Sequence, residues 1–236
     1  MSQTSAESVQ ALFDRIAPVY DELNQTLSLG QHKIWKQMAV KWVGLKPGDQ
    51  ALDICCGSGD VAMLLAQKVG AQGRVCGVDF AAQQLEVAAA RQVYELNPET
   101  TAPIDWMQGD ALALPVSDNQ FDGVTMSYGL RNVMDIPQAL QEIRRVLKPE
   151  AKAAILDMHR PKNPWVRGFQ QWYLDNVVVP AAKRKGVTSE YEYIAPSLDR
   201  FPTGEAQERL ALAAEFSTAV HYPIAEGTMG VLVMTK

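Results

Sequence analysis

The chain predicts an α/β fold: a doubly wound sheet, mostly parallel, with helices on both faces, an antiparallel C-terminal edge and a helical insertion after the fifth strand. Three observations predict it. Apolar segments of helix and strand period alternate from residue 50 to residue 156, a glycine-rich turn joins the first strand to the helix that follows, and two apolar runs close the chain. With 236 residues, 47% of them hydrophobic, one domain over residues 1–236 can bury a sizeable core. No repeat, low-complexity tract or Gly/Ser linker marks a boundary inside it.

In order, Val9, Leu12, Phe13 and Ile16 recur at helical spacing, followed by Val19 and Tyr20, and a second helix runs from about residue 33 to 42 before Lys46-Pro47-Gly48 stops it. Two helices, within about residues 5–45, therefore precede the first strand. Strand 50–54, helix 60–69, strand 74–78, helix 81–96 and strand 104–108 follow, then strand 121–126, helix 136–147 ended by Lys148-Pro149, and strand 153–156. Such alternation means parallel strands joined by helical crossovers. From about residue 160 to 203 the rhythm breaks: Pro161, Pro164, Pro180, Pro196 and Pro202 divide short aromatic-rich helical pieces, read as a cap over the sheet. A helix over 204–214 and apolar runs at 217–222 and 229–234 predict an antiparallel pair at one edge.

The formal net charge of −5 offers no general attraction to a polyanion, so nucleic acid is excluded as a partner. The first ten residues have neither a basic nor an apolar leader pattern, and nowhere do 18 apolar residues run together. A soluble, cytoplasmic chain is expected. Cys55, Cys56 and Cys76 match neither a disulfide framework nor a metal spacing and read as small buried apolar residues.

Gly57-x-Gly59-x-x-Ala62 sits where a strand turns into a helix, and Asp79 ends the next strand, 22 positions after Gly57. Glycines there let a ligand approach the backbone, and a carboxylate at the end of the second strand can accept both hydroxyls of a ribose. Asp53 before the loop and Asp60 at the start of the helix would crowd a pyrophosphate; a zwitterionic amino acid with a sulfonium suits them better. Asp110, in Gly109-Asp110-Ala111 after the third strand, either reads an adenine edge or caps a short turn.

Asp53 to Gly59, Asp79, Gly109-Asp110 and Phe121-Asp122 resemble, in order and spacing, the class I S-adenosylmethionine methyltransferases with their Rossmann-like sheet. More narrowly, nearly the whole chain resembles the UbiE/MenG family of quinone C-methyltransferases. The resemblance rests on Phe13-Asp14, Ile16-Ala17, Tyr20-Asp21, Asn24, Ser28, Gly30, His32 and Trp35-Lys36, then on Tyr128-Gly129-Leu130-Arg131-Asn132-Val133 and Arg145-Val146-Leu147-Lys148-Pro149. The chain departs from the bacterial pattern at Leu23, at Glu150-Ala151 and at Asp157-Met158-His159. Cys55-Cys56, Leu174-Asp175-Asn176-Val177 and Glu190-Tyr191-Glu192-Tyr193 look like the phylloquinone branch of photosynthetic lineages.

That resemblance implies S-adenosyl-L-methionine as cofactor and a demethylated phytyl naphthoquinol as substrate. It implies a cofactor-binding set of Tyr20, Asp53, Gly57, Ser58, Gly59, Asp79, Phe80, Asp110, Ala111 and Ser127. Within it Gly57 and Ser58 would hold the methionine portion, Asp79 the ribose, and Asp110 with Ala111 the adenine. Tyr20 would close over the sulfonium. Carbon methylation needs an electron-rich ring, hence a reduced quinol with a partly deprotonated hydroxyl. Arg131 and Asn132 are the expected catalytic neighbourhood, Arg131 stabilising a phenolate since its own pKa exceeds about 12. His32 and His159 are alternative bases.

Trp165, Phe169, Trp172, Tyr173, Leu174 and residues 177–179 suit a prenyl tail or shallow peripheral contact with a membrane, and equally a cap packed on the core. Lys183-Arg184-Lys185 would meet anionic head groups or form a solvated turn. The competing functions are methylation of another lipid (demethylmenaquinol, a benzoquinol, a chromanol precursor), an NAD-dependent oxidoreductase, and a cofactor-binding scaffold without catalysis.

Overall fold

A computed structural model of the chain describes residues 30–184, 186 and 193–236. The first predicted helix, with Tyr20, and the Glu190-Tyr191-Glu192 segment lie outside the described residues. Helix α1 (Gln31–Val43) leads to β1 (Gln50–Ile54), α2 (Asp60–Val69), β2 (Arg74–Asp79), α3 (Ala82–Glu95), β3 (Ile104–Gln108) and β4 (Phe121–Ser127). Helix α4 (Ile136–Val146) and β5 (Leu147–Met158) follow. Next come the cap pieces α5 (Pro164–Tyr173), a π-helical turn (Leu174–Val178), α6 (Val179–Arg184) and α7 (Ile194–Arg200), then α8 (Gly204–Ala213), β6 (Thr218–Ile224) and β7 (Met229–Thr235).

The sheet order is β3-β2-β1-β4-β5-β7-β6. The first five strands are parallel, and β7 lies antiparallel between β5 and β6, leaving β6 at the edge. Because β1 pairs with β2 on one side and β4 on the other, Asp53 faces Gly77 and Thr125 across the ladders. The order reverses direction at β1 and β4, and the crevice beyond the C-terminal ends of those strands is where ligands bind in open α/β sheets.

Period-two alternation splits the core. Leu52 and Ile54 of β1 pack with Val124, Met126, Leu140 and Ile143 on one face; Ala51 packs with Val61, Leu65 and Ala66 on the other. Helix α4 forms because Ala139, Leu140, Ile143 and Val146 fall on one stripe, while the Asp135 side chain accepts the Gln138 N–H at 3.0 Å and caps it.

Among the described residues the predicted order of elements stands, with most boundaries within two residues and one moved further. Lys148 and Pro149, expected to end a helix, lie inside β5, which begins four residues before Ala151 rather than at Ala153. Phe121 pairs with Leu147 but Gly123 with Lys152, so the extra residues form an irregularity, with Glu150 at φ 65. Lys148 Nζ, 2.7 and 2.8 Å from the Asp122 carboxylate oxygens, holds it to β4. In the cap, Leu174, Val178, Ala182 and Leu198 make a small cluster of their own, against Met158. Among the described residues no helix is long and apolar enough to cross a membrane.

Candidate active site

At the C-terminal ends of β1, β2 and β4 lies an open, mostly apolar cleft with a few convergent polar groups, the form that small-molecule sites take. Its floor is the loop after β1. Gly57 (φ 53) and Gly59 (φ 91) take left-handed conformations that turn the chain into α2. A Cβ at Gly57 would meet only the Gln84 amide at 3.9 Å, whereas at Gly59 it would lie 2.7 Å from the Trp106 ring. Gly57 therefore opens space at the cleft. Gly59 instead permits close packing of the loop on Trp106 and does not line the cleft.

Asp79, at the end of β2, fastens this loop: Oδ2 accepts the Gly57 N–H at 2.7 Å and Oδ1 the Ala81 N–H at 2.9 Å. These two backbone bonds aim the Asp79 carboxylate at the cleft that it lines. Asp53 is buried beneath the loop. Thr125 Oγ1 donates to its Oδ1 at 2.7 Å, and Oδ2 has no partner among the described residues. Burial pushes its carboxyl up to about 7, with the Thr125 bond and Lys36 pulling the other way.

Asp60 differs. Burial opposes its charge, but Lys36 Nζ at 2.7 Å and Arg91 at 2.8 Å outweigh that and hold it down at about 2. Its charge is thus compensated, and the expected crowding of a pyrophosphate reduces to Asp53. Arg91 also donates to the Ser58 hydroxyl and carbonyl at 3.0 Å, fixing the loop from α3.

On the opposite wall Ser127 ends β4, and its buried Oγ has no partner among the described residues. The chain then bends through Tyr128 (φ 61) and Gly129, where a Cβ would come within 2.7 Å of Cys55. Asn132 donates from Nδ2 to the Tyr128 carbonyl at 3.0 Å, while its buried Oδ1 is unpartnered among the described residues. Asp110 does cap a turn, Oδ1 accepting the Leu112 N–H at 2.9 Å, and it lines the cleft as well.

The cleft thus brings together Asp53, Gly57, Ser58, Asp79, Phe80, Asp110, Ala111, Ser127 and Asn132 from the expected set. Four expected residues, Gly59 among them, fall elsewhere. Arg131 turns its side chain away from the cleft: Nε meets Asp157 Oδ1 at 3.2 Å, its backbone N–H meets Oδ2 at 3.0 Å, and Nη1 reaches Ser197. The cause is Asp157, a buried carboxylate whose pKa burial raises and Arg131 lowers, and which needs a cation in the interior. His32 is buried on α1 and does not line the cleft. His159 sits behind the sheet end, Nε2 to Nε2 3.1 Å from His221, where burial, then His221 and Arg131, hold it uncharged, at about 3. Tyr20 lies outside the described residues.

Lys36 and Gln84 line the cleft without having been assigned a role by the sequence. Lys36 was visible only as part of Trp35-Lys36; its link to Asp60 spans 24 residues and no local spacing shows it. Gln84, on the first turn of α3, carries the one signal available, a polar side chain placed just after the acid that closes β2.

The whole chain, residues 1–236, matches the model of the ubiE/COQ5 methyltransferase family. It is 61% identical over 229 residues to the 2-phytyl-1,4-naphtoquinone methyltransferase of Trichormus variabilis, covering 97% of this chain and 98% of that one. It is 53% identical over 225 residues to the chloroplastic 2-phytyl-1,4-beta-naphthoquinone methyltransferase of Arabidopsis thaliana, covering 95% and 86%. Among solved structures, the fold matches a SAM dependent methyltransferase from Aquifex aeolicus with a TM-score of 0.66 at 16% identity, over 91% of this chain and 97% of that one. These matches set aside an NAD-dependent oxidoreductase, and the chain belongs to the ubiE/COQ5 methyltransferase family.

Proposed function

We propose that the chain transfers a methyl group from S-adenosyl-L-methionine to a ring carbon of a 2-phytyl-1,4-naphthoquinol. The observation that carries the substrate is the 61% identity to the Trichormus enzyme over almost the full length of both chains. The donor fits the cleft on its own chemistry. Asp53 Oδ2, Ser127 Oγ and Asn132 Oδ1 are buried polar atoms that lack partners among the described residues and line one cavity, and such atoms are costly unless a ligand completes them.

In this reading Asp53 and the Gly57-Ser58 backbone hold the amino-acid end, Asp79 the ribose hydroxyls, and Asp110 with Ala111 the adenine. When bound, the cofactor supplies an electrophilic methyl on a sulfonium. The ring carbon would gain that methyl as the S–CH3 bond breaks, leaving a neutral thioether, and would release its proton to solvent, so the ring must be the electron-rich quinol. Asn132 Oδ1 accepts the quinol hydroxyl, which raises electron density on the ring; as a neutral amide it does not itself take the proton. The apolar side chains of Leu112, Val133 and Met134 at the cleft exclude water from the reacting centre. Arg131 acts from behind, holding the turn that carries Asn132. The enzyme is cytoplasmic and meets its lipid substrate at the surface of a membrane.

The test is transfer of isotope-labelled methyl, read by mass spectrometry, to reduced 2-phytyl-1,4-naphthoquinone under anaerobic conditions, with demethylmenaquinol and a benzoquinol as competitors. Preference for the phytyl naphthoquinol is expected. Equal turnover of quinone and quinol, or preference for a competitor, overturns the assignment.

A further inference from the structure

Helix α5 divides its residues sharply. Gln170 is buried, as are Leu174 and Val178 one and two turns on in the π-helical turn, packed into the cap. On the other side Trp165, Phe169 and Trp172, spaced i, i+4 and i+7, form one face that is 88%, 62% and 54% exposed. Phe169 stacks on Trp172 with ring centroids 5.9 Å apart, and Trp165 lies one turn before Phe169 on the same face.

The charge around this patch is the reverse of the chain's. Residues 160–186 hold six Lys or Arg and one acid, Asp175, in a protein of net charge −5. Arg160 is paired with Asp199, and exposed Lys162 with exposed Glu205. Lys183 and Arg184, at the end of the same helical run, are exposed and have no acidic partner among the described residues, whereas Arg167 falls on the side of α5 opposite the aromatic face.

We infer that the Trp165, Phe169 and Trp172 face of α5 docks on an anionic lipid bilayer, the aromatic rings entering the headgroup layer and Lys183 and Arg184 of α6 meeting lipid phosphates. Amphipathic rings favour that depth, and surface helices with basic flanks bind anionic bilayers through both contributions. The inference rests on the reading of the substrate as a phytyl quinol, whose tail resides in a bilayer. It makes the cap the element that takes the lipid from the membrane, since the buried side of the same helical run packs on Met158 at the end of β5.

The experiment is co-sedimentation of the full chain with vesicles of phosphatidylglycerol and phosphatidylcholine, against vesicles of phosphatidylcholine alone. Wild type should sediment with the anionic vesicles and remain in solution with the neutral ones. The W165Q/F169Q/W172Q variant should lose about tenfold in binding, as the loss of three interfacial aromatics requires. Brominated lipids placed in the anionic vesicles should quench wild-type tryptophan fluorescence, a readout that does not depend on any variant folding. Absence of wild-type binding, absence of quenching, or a folded triple variant that binds undiminished overturns the proposal. So does lipid-free self-association that the triple substitution abolishes, which would assign the face to a second copy. Activity separates this from the function itself: the variant should methylate a tail-less naphthoquinol at the wild-type rate and lose rate only on phytyl substrate in vesicles. A wild type inactive on both quinols strikes the proposed reaction and leaves the vesicle result to stand or fall alone.

Discussion

Two polar clusters lie side by side at the ends of β1, β4 and β5, and Arg131 and Asn132, adjacent in sequence, belong one to each. In the first, Asp157 receives three N–H donors through two oxygens, Arg131 spans to Ser197, and Ser197 Oγ donates on to the Ile194 carbonyl. In the second, Asp53 Oδ2, Ser127 Oγ and Asn132 Oδ1 are buried and unpartnered among the described residues. The contrast separates scaffold from proposed site: a completed network holds the cap to the sheet, and an uncompleted one is what the proposed ligand would complete.

The largest expected effect breaks the completed cluster. Asp157→Ala or Arg131→Ala strands a buried charge and should cost about 3–5 kcal/mol in denaturant unfolding, whereas Arg131→Met with Asp157→Leu should recover much of it. A loss below about 1 kcal/mol for either single variant would show that the pair does not hold the fold. Next, Asp79→Ala removes both the loop fastening and the proposed ribose acceptor, and should weaken S-adenosylhomocysteine binding by about tenfold to a hundredfold in calorimetric titration.

The pH dependence sharpens the same contrast. Asp53 in the folded chain titrates at about 7 against an ordinary value near 3.8, so the folded state binds more protons between these limits. Stability without ligand should therefore fall as pH rises from about 4 to about 7, by about 2 kcal/mol between pH 5 and 7. His159, held at about 3, has the opposite sign, its contribution being lost as pH falls below about 6.5. Subtracting the Asp53→Asn profile from wild type isolates the Asp53 slope, and parallel profiles would exclude it. The smallest effect is the most selective: Ser127→Ala removes an unpartnered hydroxyl, so stability should hold within about 0.5 kcal/mol while cofactor affinity drops about fivefold.

The cleft was legible where chemistry follows chain order. Gly57, Asp79 and Asp110 sit at the ends of strands whose alternation the hydrophobic pattern already displays, so topology alone brings them together. What was not legible depends on direction rather than position. Around the turn at Leu130–Asn132 successive side chains point apart, and only the buried Asp157, 26 residues away, decides that Arg131 faces inward while Asn132 faces the cleft. Asp60 likewise looked like a bare charge because Lys36 and Arg91, its partners, are distant in sequence. Lys148-Pro149 has the pattern of a helix stop, yet Asp122 across the ladder carries it into β5. Gly59 fits the ligand set by its spacing, although Trp106, which occupies the space beside it, is what demands a glycine.

Titration calorimetry of wild type and Ser127→Ala with S-adenosylhomocysteine, and of wild type with NADH, tests most directly whether the unpartnered atoms of β1 and β4 are the cofactor site. Saturable S-adenosylhomocysteine binding, weakened in Ser127→Ala at unchanged thermal stability, with no NADH binding, is the predicted result. Wild-type affinity in Ser127→Ala, or NADH bound in place of S-adenosylhomocysteine, would contradict it.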